Sequence, residues 1–466
     1  MNAASLPVRI QDRNCDLLNG GSVAGLFRSL MPSICAGGAA DDVRVERCWP
    51  VGAPVASGFA LEWTFAARGR RHAVYGEWGA MRKHRRSRAS DPTASTEPTL
   101  TADGLRGLEM RVPGADLVLR SPDRDAFLPQ MSVCLDRHRM SDRLVAFGLR
   151  PRAGAGERHS LRCRLGGYRP GRRATVRFGN GEATGQNVHL CGKTFRDDRG
   201  RRLIQLHLRV SEELRRRCGG RVRVPAPVGF DDELNMALFV WMPGARAETV
   251  GHATDAVSRA AVEALVIVHE LPHGDFDAFG PRDEYAVVDR WRRVIGRLIP
   301  PVAGEADDLA ARLEAASART SDKEPAAIHR DFYEKQLILS PRCVTVLDLD
   351  TMARGDVCVD IGNYLAHLLL RELASRGDAC AFPALAEGFV SEYEGQRGRL
   401  NRHHLAFYMA SSLFRLGAVH ALRSRTSGYR PLLWRMARHL LDHETFESRR
   451  MPDLTPGCGL AGGVTK

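Results

Sequence analysis

The sequence predicts an α+β protein in which strand-rich segments come first and a helical region follows. Three observations carry this expectation. Alternating apolar residues bounded by Gly-containing turns recur up to about residue 245. Beyond that point the apolar residues recur at helical spacing instead. The chain has 466 residues, 44% of them hydrophobic, enough surface for ordinary globular cores in two or three domains.

Taken in order, Phe59, Leu61, Trp63 and Phe65 alternate with other residues, RGRR makes a turn, and HAVYGEW resumes as a second strand of a hairpin. The basic run MRKHRRSR then leads into a Ser-, Thr- and Pro-rich stretch with little to bury, so residues 80–102 read as a mobile loop. HSLRCRLGGYRPG, RRATVRFGNG and QNVHLCGKTF predict three further strands. In both strand groups the last strand places Gly before a long polar residue, Gly76-Glu77 and Gly192-Lys193, which admits a degenerate repeat as one reading.

LIQLHLRVSEELRRR has helical spacing, RVRVPAPVGF restarts an extended chain, and ALFVWMPG is a short strand stopped by Pro243-Gly244. Helical patterns follow in AVSRAAVEALVIVHEL, DEYAVVDRWRRVIGRLI and LNRHHLAFYMASSLFRLGAVHALRS. The expected organisation is an N-terminal β-containing extension over 1–150, a strand-rich lobe over 151–245 and a helical lobe over 246–466.

Lys and Arg exceed Asp and Glu by 68 to 55, a net charge of +13. The basic residues are spread along the chain without an aromatic-interleaved RNA-binding motif, so a nucleic-acid partner is not expected. Eleven cysteines without a close Cys-x-x-Cys pair favour reduced structural thiols over zinc or a disulfide framework. The N-terminal residues lack a signal-peptide pattern, and no stretch approaches the roughly 18 apolar residues of a spanning helix. A soluble, cytoplasmic protein without a membrane partner is therefore expected, and nothing in the sequence indicates its oligomeric state.

The chemistry is concentrated in AAIHRDFYEKQLILSPRCVTVLDLDTMARGDVCVDIGNYLAHLLL. Two apolar runs, LIL and VTVL, flank a Pro-containing turn, so a hairpin draws His329, Arg330 and Asp331 toward Asp348. Phosphoryl transfer needs a carboxylate that orients and deprotonates the attacking hydroxyl, and oxygen ligands that hold magnesium on nucleotide phosphates. Asp331 suits the first task. Gln336 and Asp348 suit the second.

HRDFYEKQ, LDLD, GD and the D-IGNYLAHL run resemble the aminoglycoside phosphotransferase and choline kinase group, small-molecule kinases with a protein-kinase-like two-lobed fold. The resemblance spans about residues 325–370 closely and 160–325 in lobe order, and is weak before residue 110. It implies transfer of the γ-phosphoryl group of ATP, with Mg2+, to a hydroxyl of a small molecule. His329 and Asp360 would hold the catalytic loop. Gln336 departs from the group's usual Asn by one methylene, which leaves the metal geometry open. Lys193 would contact the phosphates, with Glu213, or Glu212 next to it, as its helix partner unless those carboxylates pair with the arginines that follow. Val240 and Met242, in Phe239-Val240-Trp241-Met242, would form the adenine-facing hinge, and His269 reads as a core histidine. The absence of A-P-E and of a long segment between Asp348 and Asp360 favours a small substrate over a peptide. The alternative is a pseudokinase or a basic nucleic-acid adaptor without catalysis.

Overall fold

The computed structural model describes residues 20–30, 43–51, 58–67, 70–78, 98–101, 104–112, 117–149, 161–180, 189–249, 255–321, 324–423 and 426–452. The chain divides into two compact units. The first comprises Met1–Gln205, Ala226–Trp241 and Leu422–Ser424, and the second comprises Leu206–Pro225, Met242–Ala421 and Arg425–Lys466.

The first unit opens with helix α1 (Gly20–Leu30), followed by strands β1 (Arg44–Val51), β2 (Gly58–Ala67) and β3 (Arg70–Trp78). A ribbon of β4 (Thr99–Thr101) and β5 (Gly104–Arg106) comes next, then β6 (Glu109–Arg111) and β7 (Leu117–Arg120). Most of the expected loop over 80–102 lies outside the described residues, and its end, 99–101, is strand β4 rather than loop. The β2–β3 hairpin is present as expected, but it belongs to an antiparallel sheet ordered β1-β2-β3-β7-β6. Phe59, Leu61, Trp63 and Phe65 bury one face of β2, and the ring of Phe27 on α1 meets Trp63 edge-on at 6.0 Å.

Short helices α2 (Met131–Cys134) and α3 (Arg137–Ala146) lead to β8 (Leu161–Arg169), β9 (Arg173–Asn180) and β10 (His189–Phe195). With β12 (Pro227–Asp231) and β13 (Met236–Val240) these make a second antiparallel sheet, ordered β12-β13-β10-β9-β8. Both sheets run as a three-strand meander whose third strand pairs with the later strand of a following pair. Gly76 and Gly192 fall on those third strands. A Cβ on Gly192 would lie 2.5 Å from Met236 Sδ, and one on Gly76 would collide with the Trp63 indole, so each glycine admits a large side chain from a neighbouring strand.

The two sheets share one core. Tyr75, Leu128, Met131 and Cys134 pack with Cys163, Val176, Phe178, Met236 and Leu238, so the residues on either side of position 150 are held by the same apolar cluster. Burial pushes the Cys134 thiol up to about 12, as suits an unreactive packing group.

Helix α4 (Arg199–Cys218) belongs to the first unit up to Gln205 and to the second from Leu206. The second unit carries a sheet ordered β11-β17-β16-β14, from β11 (Val222–Arg223), β14 (Ala245–Arg246), β16 (Leu337–Ser340) and β17 (Cys343–Val346). It also carries the two-stranded pair of β15 (Ala326–Ile328) and β18 (Ala353–Gly355). Its helices are α5 (Asp255–His269), α6 (Pro281–Leu298), α7 (Ala303–Arg319), α8 (Cys358–Arg376), α9 (Phe382–Arg397), α10 (Arg402–Ala421) and α11 (Tyr429–His443). Strand-rich segments thus precede a helical region, as the sequence predicts.

Helices α8 and α10 approach closely where Gly362 faces the backbone of α10, since a Cβ there would lie 2.7 Å from Met409 N. That atom is main chain and cannot rotate away. Gly362→Ala is expected to destabilise by about 1–3 kcal/mol through overpacking, read from the urea midpoint. An unchanged midpoint would mean that the helices separate without cost. Among the described residues no helix is long and apolar enough to cross a membrane.

Candidate active site

His329, Arg330 and Asp331 follow β15 directly, and the β16–β17 hairpin returns the chain to Asp348. The register Leu337↔Val346 puts Gln336 beside Leu347, whose amide donates to Gln336 O at 2.8 Å. Local pairing alone therefore draws Gln336 and Asp348 together.

The loop is held from behind by Asp360 on α8. Its carboxylate accepts from His329 N at 2.7 Å and Arg330 N at 2.6 Å, and lies 3.1 Å from His269 Nε2. Asp360 and His269 are both buried, and His269 Nδ1 lies 2.7 Å from the Tyr393 hydroxyl. Burial works to raise the Asp360 carboxyl, but the hydrogen bond from His269, the electrostatic pull of the His269 and His329 rings, and the His329 amide hold it below the usual carboxylate range.

These bonds hold Arg330 at φ +70°, a left-handed conformation that a residue with a Cβ rarely adopts. Its guanidinium lies 3.6 Å from the centre of the Phe279 ring. His329 Nδ1 accepts from Asp331 N at 3.3 Å, so the proton sits on Nε2, which donates to Leu347 O at 2.7 Å. One ring thereby ties the backbone of Asp331 to the residue before Asp348. Asp348 also has a positive φ, +59°.

Asp331 is half-buried, and Gln336 Nε2 donates to its Oδ2 at 3.4 Å. Three further groups fix this loop: Thr351 Oγ1 donates to His329 O at 2.9 Å, Asn363 Nδ2 donates to Phe332 O at 2.9 Å, and Arg415 donates to Asn363 Oδ1. The ring of Tyr333 stacks on His367 at 4.0 Å. The structure thus brings His329, Arg330, Asp331, Gln336, Asp348 and Asp360 into one constellation within the second unit.

Glu213, on the second unit's part of α4, is engaged by Arg217 Nε at 2.6 Å and by Arg216. Those hydrogen bonds hold its carboxyl at about 2. The pairing of Glu213 with the arginines that follow, left open by the sequence, is observed. Lys193 lies on β10 opposite in direction to the buried Leu190, Gly192 and Thr194. The Val240 amide donates to Ala226 O at 2.9 Å and the Trp241 amide to His189 O at 2.8 Å.

Sequence reasoning missed Thr351, Asn363, Tyr393 and Arg415, and read His269 as a core residue without its tie to Asp360. Asn363 carried a signal: it stands three residues after Asp360, on the same helix face.

A model of the phosphotransferase enzyme family matches residues 173–403. Over that stretch the chain is similar to the phosphotransferase enzyme family. The match takes in β9, β10 and the whole constellation from His329 to Asp360, and so runs from a strand-rich part into a helical part. No curated protein matches the chain.

Several solved structures are similar to it. The choline/ethanolamine kinase family protein from Mesorhizobium loti is 15% identical, covering 65% of this chain and 95% of its own, with a TM-score of 0.43. Choline kinase LicA from Streptococcus pneumoniae is 14% identical, covering 65% and 98%, with a TM-score of 0.41. Aminoglycoside phosphotransferase APH(3'')-Id from Streptomyces rimosus is 18% identical, covering 54% and 92%, with a TM-score of 0.39.

Proposed function

We propose that the protein transfers the γ-phosphoryl group of ATP to a hydroxyl of a small molecule, with Asp331 as base and Gln336 and Asp348 as magnesium ligands. The observation that carries this reading is a carboxylate and an amide 3.4 Å apart on a loop whose backbone Asp360 anchors. Asp331 orients the acceptor hydroxyl and takes its proton as the oxygen attacks phosphorus. The rigid loop keeps that carboxylate in one geometry, so little reorganisation is needed during transfer.

The donor set suits magnesium. With its nitrogen turned to Asp331, Gln336 keeps a neutral amide oxygen, and Asp348 adds a charged one. Two protein oxygens are a usual protein contribution to a magnesium site, and Gln336 and Asp348 would be the residues that hold the ion. Bound there, magnesium neutralises charge on the phosphates during transfer. Lys193 is assigned to nucleotide phosphates as a compact ammonium. With the amides of Val240 and Trp241 already bonded, the amide of Met242 and the exposed Val240 side chain are assigned to adenine.

The reading is tested by ATP consumption across a panel of hydroxylated metabolites, with mass detection of a phosphorylated product. Nucleotide binding without phosphorylation of any acceptor would overturn it. Gln336→Asn is expected to remain active, whereas Gln336→Leu, of similar bulk but without an oxygen, should require at least about tenfold more magnesium for half-maximal turnover. A Leu variant with wild-type magnesium dependence would remove Gln336 from the metal site.

A further inference from the structure

The first unit contains an open cavity of about 1240 Å³ that phosphoryl transfer leaves unused. Every residue lining it precedes Arg173, where the family match begins. Its walls come from β1, β2 and β3, the β4–β5 ribbon and the edge strand β8.

Among the described residues six arginines line this cavity, Arg47, Arg71, Arg106, Arg137, Arg162 and Arg164, with one carboxylate, Glu62. Glu62 is already engaged by Arg47 at 3.5 Å and by the Tyr75 hydroxyl at 3.3 Å. Arg106, Arg162 and Arg164 meet no carboxylate among the described residues. Such crowding of like charge is costly unless an anion offsets it.

Strand β8 adds a second feature. Leu161 and Cys163 point into the core while Arg162 and Arg164 alternate outward and are exposed, and Gly166 and Gly167 follow them. Only β9 pairs with β8, so its other edge carries backbone amides with no strand partner among the described residues. Guanidinium forks are donors that phosphate oxygens accept, often two at a time. Several guanidiniums offer more paired donors than a single phosphate group can engage, which suits a ligand carrying more than one.

We propose that this cavity binds a small molecule carrying two or more phosphate groups, at a site separate from the residues that perform phosphoryl transfer. The test uses the full chain with inorganic tripolyphosphate as probe, titrated calorimetrically in metal-free buffer at fixed ionic strength. Arg106→Glu/Arg162→Glu is expected to weaken one class of tripolyphosphate site by about tenfold or more while leaving phosphoryl transfer intact. Lys193→Ala should leave that class untouched. If Lys193 had no part in phosphate binding, only a second class of site would fail to appear, so the two readings fail separately. An isotherm unchanged in the double variant would overturn the proposal, as would binding of a single-stranded oligonucleotide but not of tripolyphosphate. Should the double variant fail to fold, Arg164→Gln on the exposed face of β8 takes its place. It should weaken the probe several-fold, and unchanged affinity would again overturn the site.

Discussion

Asp331→Asn is expected to lower turnover by about 10²-fold or more while nucleotide binding persists. The substitution preserves shape, and the amide of Asn can still pair with Gln336, 3.4 Å away in the wild type. It removes only the capacity to accept a proton from the acceptor hydroxyl. The backbone anchors of the loop belong to Asp360 and His329, so geometry should survive and the loss should fall on kcat. Steady-state turnover beside nucleotide titration checks this, and wild-type turnover would end the assignment of Asp331 as base.

Asp360→Ala should be the most damaging single change to stability. Two loop amides and His269 all depend on this carboxylate, and removing it strands them inside the protein. A cost of about 3–5 kcal/mol is expected from urea unfolding, with turnover lost even in the folded fraction. A cost below about 1 kcal/mol would mean that water replaces the carboxylate freely.

The pH dependence has a definite sign. Because the folded-state value of Asp360 is depressed, its stabilisation is present above the unfolded value near 3.9 and disappears as pH falls through the folded value. The gap between wild-type and Asp360→Ala stabilities should therefore narrow as pH falls below about 4 and widen above it.

The constellation was legible because its members lie close along the chain. His329 to Asp360 spans one strand, a turn, a hairpin and the start of a helix, so spacing and strand pattern suffice to assemble it. His269 reaches Asp360 across 91 positions and Tyr393 across 124, and no local pattern reports such pairings. The same distinction separates the strands. The β2–β3 hairpin and the meander β8–β10 show their alternation locally, whereas β6 and β7 are three and four residues long and join a sheet through β3. The role of Glu213 depended on helix phase, which the adjacent arginines settle only once the helix is built.

The matched strand order of the two sheets has a consequence for how the chain finds its fold. Two neighbouring segments with the same connectivity invite exchange, in which a hairpin of one completes the other, a recurrent failure of tandem architectures. The third strand of each sheet guards against this. Gly76 receives an indole from β2, whereas Gly192 receives a thioether from β13 and a phenyl edge from Phe178 on β9. A strand borrowed by the wrong sheet would bring differently shaped side chains to each glycine. Each glycine thus matches its own set of neighbouring side chains, and filling either one would cost packing in its own sheet.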